Sequence, residues 1–403
     1  MPPQQSRHAV LAGYLGWTLD AFDFFVVVFL LDILAAHFHV PKKEIIWTLT
    51  ATLLFRPVGA VIFGMLADRF GRRRPLMANV IFFSVIELLS GFSQNYTQFL
   101  ILRALFGIGM GGEWGVGASL ALENAPRRWR GVLSGILQSG YTVGYLLAAI
   151  ASRLILPHLS WRWMFWLGAL PALLALYIRN KVPESEAWKE HRAGGFPDIV
   201  RAMATHWKLA AYLVLMMTFM MFLSHGTQDL YPDFLKHQHH VAATTVPWVV
   251  ILSNLGAIIG AIVFGHLSQS LGRRRSMIAA LMLSLLAIPF WSFGSTLVIL
   301  VVGAFFLQMG VQGAWGIIPV HLNEMAPDAV RGLMPGLCYQ LGILFAAPTN
   351  TIEDILREHF GYSWALAGFE VVVIVVLTVV LLMGREQLGR SFYSGDLISI
   401  EKE

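Results

Sequence analysis

The chain has 403 residues, of which 56% are hydrophobic and only 13% charged, whereas soluble globular domains carry about 25% charged residues. That balance excludes an ordinary soluble fold and makes lipid the solvent for most of the surface. The net charge of +5 is spread over short loops between apolar runs, which excludes a nucleic-acid partner, and the single cysteine, Cys338, excludes an intrachain disulfide or a cysteine-based metal site.

Residues 1–10 are short and polar without a cleavage site, so the first apolar run reads as a retained span and not a removable signal. Runs of about 20 apolar residues suffice to cross a bilayer. They fall at 13–34, 46–66, 76–92, 99–121, 131–154 and 163–178, then at 209–230, 246–267, 277–293, 297–320, 333–348 and 364–383. The spacing therefore predicts an all-α membrane protein with two sets of six spans. Residues 1–178 form the first half, the polar stretch 179–207 (Lys181, Lys189, Arg192, Arg201) a linker, and 208–403 the second half and tail.

Lysine and arginine set the orientation. Arg69, Arg72, Arg73 and Arg74 follow the second span, Arg127, Arg128 and Arg130 the fourth, and Arg273, Arg274 and Arg275 the eighth. The opposite loops are poorer, with Lys42, Lys43, Arg162, Lys236 and Arg357. Even-numbered loops and both termini are expected on the cytoplasmic side of a cell membrane.

The two halves repeat. Gly64 to Arg74 reads G-M-L-A-D-R-F-G-R-R-R and Gly265 to Arg275 reads G-H-L-S-Q-S-L-G-R-R-R, an offset of 265 − 64 = 201. At the same offset Gly109, Gly112, Trp114, Gly115, Glu123, Pro126, Arg130 and Gly131 return as Gly310, Gly313, Trp315, Gly316, Glu324, Pro327, Arg331 and Gly332. A register kept without slippage marks two homologous units.

Twelve spans in two halves joined by a long linker resemble the plan of the major facilitator superfamily. The 64–74 stretch resembles that superfamily's signature between the second and third helices, and Pro183-Glu184-Ser185 resembles the turn after the sixth helix in its organic-acid and sugar porters. The resemblance implies that Asp68, with the basic cluster Arg72, Arg73 and Arg74, clamps the cytoplasmic gate. Gln269 stands at the equivalent of Asp68, so the second clamp has no acid.

Charges inside a span cost about 2.5–3.5 kcal/mol, so they are functional candidates by default. Asp20 and Asp23, three apart in the first span, share one helical face. Two carboxylates crowded in low dielectric repel, and sharing a proton relieves both, which suits proton coupling. Arg56, mid-span in L-L-F-R-P-V-G-A, has Ala257 as its repeat equivalent. A guanidinium grips a carboxylate bidentately, so it pairs with Asp20 or Asp23, anchors an anionic substrate, or exchanges one partner for the other. Arg103 matches the arginine of the superfamily's fourth-helix motif, where a structural or proton-relay role is implied. Gly107, Gly109 and Gly112 fit G-x-G-x-x-G, but inside an apolar span they read as close-packing glycines, not a nucleotide loop. Glu113 is a further intramembrane acid without an evident task.

The seventh span ends in F-L-S-H-G-T-Q-D, placing Ser224, His225, Thr227, Gln228 and Asp229 in under two turns, with Pro232 expected to break the helix. His225, Gln228 and Asp229 line one face, and imidazole beside a carboxylate and an amide suits protons and small polar anions. S-H-x-T-Q-D resembles the seventh-helix fingerprint of lactate and pyruvate proton symporters in the sialate:proton symporter family, although Met221 and Asp233 replace its outer asparagine and threonine. That resemblance implies symport of a small monocarboxylate with a proton. Substrate contact then falls to Arg56, His225, Gln228, Thr227 and Ser224, and proton coupling to Asp20, Asp23 and Asp229. The partners are a small organic anion, protons and the bilayer; the carrier is expected to act as a monomer without cofactor or metal. His37, His39, His237, His239 and His240 read as solvated loop residues. A sialic-acid or other sugar-acid symporter is the nearest alternative, and a drug/proton antiporter a weaker one that leaves Arg56 unexplained. An enzyme is not expected, since no loop is long enough for a catalytic domain.

Overall fold

The computed structural model describes residues 3–191, 194–242 and 244–392; Arg192 and the tail beyond 392 lie outside it. Lipid offers no hydrogen-bond partners to a bare backbone, so the apolar runs close their own bonds as helices, and no strand occurs among the described residues. The first half contains α1 (Pro3–Phe29), α2 (Leu31–Phe38), α3 (Lys42–Phe70), α4 (Arg73–Ser90), α5 (Tyr96–Glu123), α6 (Arg130–Ile155), α7 (Arg162–Leu167) and α8 (Pro171–Lys181). The linker carries α9 (Glu186–Glu190) and α10 (Phe196–Thr205). The second half contains α11 (Trp207–Gln228), α12 (Tyr231–His237), α13 (Val246–Leu271), α14 (Arg273–Phe293), α15 (Leu297–Met325), α16 (Met334–Phe345), α17 (Thr349–Phe360) and α18 (Tyr362–Met383).

Four of the expected spans are broken helices. The first bends at Leu30, the sixth between Leu167 and Pro171, the seventh at Asp229 and Leu230 and the eleventh between Phe345 and Thr349. The seventh breaks where Pro232 enters the first turn of α12, as its sequence implies. The eleventh corrects the expected span 333–348: Pro348 caps a further helix that runs on to Phe360. His37 and His237 likewise sit in the last turns of α2 and α12 and not in open loops. Among the described residues nine helical stretches are long and apolar enough to cross a membrane on their own; the third, sixth and eleventh segments are shorter or more polar.

Glycines set the distance between helices inside each half. A Cβ on Gly59 would meet the Ile108 carbonyl at 1.8 Å, and one on Gly111 the Arg56 carbonyl at 1.9 Å. The second half repeats the device with Gly260 against the Met309 carbonyl, also at 1.9 Å.

The halves meet most tightly at the end that carries the arginine clusters. Asp68 accepts the backbone N–H groups of Gly332 and Leu333 at 2.7 and 3.0 Å. Gln269 takes up the equivalent place across the pseudo-two-fold, accepting Gly131 N–H at 3.0 Å. Ser119 bridges to Asn323 and the Arg331 carbonyl, each at 2.9 Å. This seal closes one end of the space between the halves.

Candidate functional site

Above the seal lies a cavity of about 550 Å³ between the two halves. Tyr141, Trp315 and Tyr339 line it: Trp17 backs Tyr141 at 5.3 Å, Trp114 backs Tyr339 at 4.2 Å, and Trp315 packs edge-on against Tyr339. It opens away from the seal, since the His225 and Asp229 side chains remain 42% and 35% exposed.

The two walls differ in kind. The first half contributes Phe24, Phe25, Leu53, Gln138, Tyr141 and, from α3, Arg56. Arg56 is only 3% exposed, and its Nε and Nη2 have no hydrogen-bond partner. A buried guanidinium left with unmet donors is costly alone and favourable once a carboxylate arrives. The second half contributes Ser224, His225, Thr227, Gln228 and Asp229, all lining the cavity from the broken end of α11. His225 Nδ1 lies 3.1 Å from Asp229 Oδ2, the same oxygen that accepts from Asn350 Nδ2 at 3.1 Å. Gln228 Nε2 donates to Gln308 Oε1 at 3.2 Å, and Gln308 Nε2 donates to Thr227 Oγ1 at 3.1 Å. This network fixes the amide and hydroxyl groups while leaving His225 facing the cavity.

Asp20 and Asp23 do not line the cavity. Both are fully buried, and their four carboxylate oxygens have no hydrogen-bond partner. Asp20 lies within electrostatic reach of Arg56, Glu87 and Glu113. Arg103 pairs with neither aspartate: it binds Glu87 and Ser90 on α4. Glu113 faces Gly16 so closely that a Cβ there would come 2.2 Å from its Oε1.

The gate residues form a second cluster. Arg72 bridges Asp68 at 2.6 Å and Glu123 at 3.0 Å, all three buried. Glu184 accepts the Arg72 and Arg73 backbone N–H groups at 2.8 and 3.2 Å. Burial pushes the Glu184 carboxyl above the usual carboxylate range, and the N–H groups of Ser185, Arg72 and Arg73 oppose that rise. The pattern returns in the second half, where Arg273 binds Glu324 at 2.8 Å and Glu386 accepts Arg273 N–H at 3.1 Å. Asp68 and Arg72 thus stand at the seal, remote from the cavity lining.

Several residues escaped the sequence reading. Glu87 in I-E-L-L and Glu370 in F-E-V-V interrupt apolar spans, so the rule that singled out Asp20 applies to them too. Gln138, Tyr141, Gln308 and Asn350 are uncharged and carry no such signal.

Residues 13–231 match the family model described as Major Facilitator Superfamily, more than half of the chain. The chain belongs to the major facilitator superfamily. Residues 207–386 match the superfamily's model for sugar and other transporters. The chain is 33% identical over 391 residues to a carboxylic acid transporter protein homolog of Saccharomyces cerevisiae, covering 90% of this chain and 63% of that relative's length. It is 32% identical to a probable 4-methylmuconolactone transporter of Cupriavidus pinatubonensis, with 91% and 87% of the two chains covered. The sialic acid transporter NanX of Escherichia coli is 26% identical, with 97% and 96% covered. In fold, the chain superposes on the proton:xylose symporter XylE with a TM-score of 0.80 at 17% identity, covering 99% of this chain and 100% of the other.

Proposed function

We propose that this chain is a transporter, not an enzyme, that carries a small monocarboxylate of the lactate or pyruvate type together with a proton. Two units, 1–178 and 208–403, joined by the linker 179–207, rock about the cavity to give alternating access. The observation that carries this reading is the pairing of an unmet guanidinium, Arg56, on one wall with the Ser224–Asp229 polar face on the other. A carboxylate docked on Arg56 presents its hydroxyl or keto oxygen to His225, Gln228, Thr227 and Ser224. Asp20, Asp23 and Asp229 are the groups assigned to proton exchange, and Asp68, Arg72 and Arg73 to gating. By the positive-inside rule the arginine clusters support a cytoplasmic seal, with the cavity opening outward and the termini inside. The carrier works as a monomer without a cofactor.

The organic acids named for the yeast and Cupriavidus relatives support an acid substrate. The relative NanX and the roomy cavity favour one rival, a sialic-acid or other sugar-acid symporter. A drug/proton antiporter leaves the unmet guanidinium idle. The test is uptake of labelled lactate, pyruvate, acetate and sialic acid into proteoliposomes under an inward proton gradient. Accumulation of the three-carbon acids supports the reading, and accumulation of sialic acid alone replaces it with the rival.

A further inference from the structure

Behind the polar face of α11 lies a second pair of acids that the substrate reading leaves unused. Glu353 on α17 and Glu370 on α18 are fully buried, and none of their four carboxylate oxygens has a hydrogen-bond partner. The chain makes room for them. At Gly226 on α11, a Cβ would come 2.2 Å from Glu370 Oε1. Asp229 is the charged neighbour that acts on Glu353, and Glu353 the one that acts on Glu370. Asn350, one turn before Glu353 on α17, donates to Asp229 at 3.1 Å. A line of carboxyl groups thus runs inward from the cavity: exposed Asp229, then Glu353, then Glu370.

Among the described residues no cation is placed to neutralise the inner pair. On α17, Arg357 binds Asp354 at 2.6 Å and faces Tyr362 at the open end. On α14, Arg273 binds Glu324 and Arg274 bonds the Leu381 and Leu382 carbonyls at the opposite end. On α11, His225 is engaged with Asp229; on α12, Asp233 is held by Tyr362 and His237. The segment forming α16 has no charged residue. Burying a carboxyl without a partner is costly, and an apolar pair would fill the same space. Two such groups side by side keep at least one proton between them.

We propose that Glu353 and Glu370 form a proton-holding site in the second half that exchanges its proton with the cavity through Asp229. In the transfer a proton leaves the Asp229 carboxyl and lands on the ionised member of the pair. Asp229 is left ionised, the pair neutral, and the total charge unchanged. The proposal rests on the proton-symport reading for its role in transport, but the site itself is testable without a substrate.

The experiment uses the full chain in lipid, with Glu353→Gln and Glu370→Gln variants. Infrared pH-difference spectra of the substrate-free protein should contain a carbonyl band from protonated carboxyl groups, part of which each variant removes. Proton-driven accumulation of labelled lactate or pyruvate should fall about 10-fold, a usual size for coupling between two sites, while counterflow exchange stays within about 2-fold. If a glutamine variant fails to fold, Glu370→Asp keeps the carboxyl and should retain the band. Wild-type spectra in both glutamine variants overturn the site. Counterflow lost together with accumulation overturns its coupling role. Should the wild-type protein accumulate neither acid, the symport reading fails, and the infrared band still decides whether the pair binds a proton.

Discussion

The two halves share a backbone plan and divide the chemistry. At the seal they are nearly interchangeable: Arg72 with Glu123 corresponds to Arg273 with Glu324, and Glu184 corresponds to Glu386. Even the change from Asp68 to Gln269 keeps the backbone contact across the interface. At the cavity the likeness ends. The first half presents a cation, Arg56, and keeps its acids sealed behind it. The second half presents a carboxylate, Asp229, open to the cavity and backed by further acids. The seal is one interface built from equivalent groups across the pseudo-two-fold, so its two sides stay alike. In the proposed symport, substrate would be held from two sides by different chemistry, which accounts for walls that diverge.

The strongest way to break this division is to remove its cation. Arg56→Ala should abolish measurable binding of a monocarboxylate. Arg56→Lys keeps the charge but loses the fork, so affinity should fall about 10- to 100-fold, in line with about 1.5–3 kcal/mol for a charged hydrogen bond. Scintillation-proximity binding with labelled substrate measures both, and a wild-type affinity in Arg56→Lys moves the anchor elsewhere.

Exchanging the acids sharpens the comparison further. Asp229→Asn should lower proton-driven accumulation about 10-fold and leave counterflow in place, as expected for a coupling residue. Asp20→Asn tests the sealed acids by the same pair of assays. Equal losses in both variants mean that both halves handle the proton. A loss in Asp20→Asn alone returns coupling to the first half.

The smallest effects belong to the seal. Asp68→Asn removes the charge that ties Arg72 and two backbone N–H groups, so the equilibrium should shift away from the closed seal. Transport should slow several-fold with substrate preference unchanged, and Gln269→Ala should do less, since only neutral bonds are lost. Turnover and competition profiles check both, and an altered preference in either variant contradicts a gating role.

Much of this was legible in the sequence because lipid simplifies the code. Apolar run length gave the spans, the offset of 201 gave the halves, and charged residues within spans pointed to Asp20, Asp23 and Arg56. The Ser224–Asp229 face was legible because helical spacing alone brings it together. The reading fell short where the signal is tertiary. Nothing in the local sequence separates Asp229, which reaches the cavity, from Asp20, which is fully buried and does not line it. The 349–360 segment reads as a polar loop, which hid both α17 and Glu353. Asn350 and Gln308 matter only for the partners the fold delivers to them.

Charge movement tests the central claim most directly. A monocarboxylate brings one negative charge and a coupled proton cancels it, whereas any uncancelled charge would exchange about 2.3 kcal/mol per 100 mV with the membrane field. Proteoliposomes holding the carrier should therefore accumulate labelled lactate or pyruvate when an inward proton gradient is imposed. They should ignore a potassium–valinomycin potential at fixed pH, and substrate should evoke no current on a solid-supported membrane. A substrate-induced current, or uptake driven by the potential and indifferent to the proton gradient, would contradict one-to-one symport of a proton with a monocarboxylate.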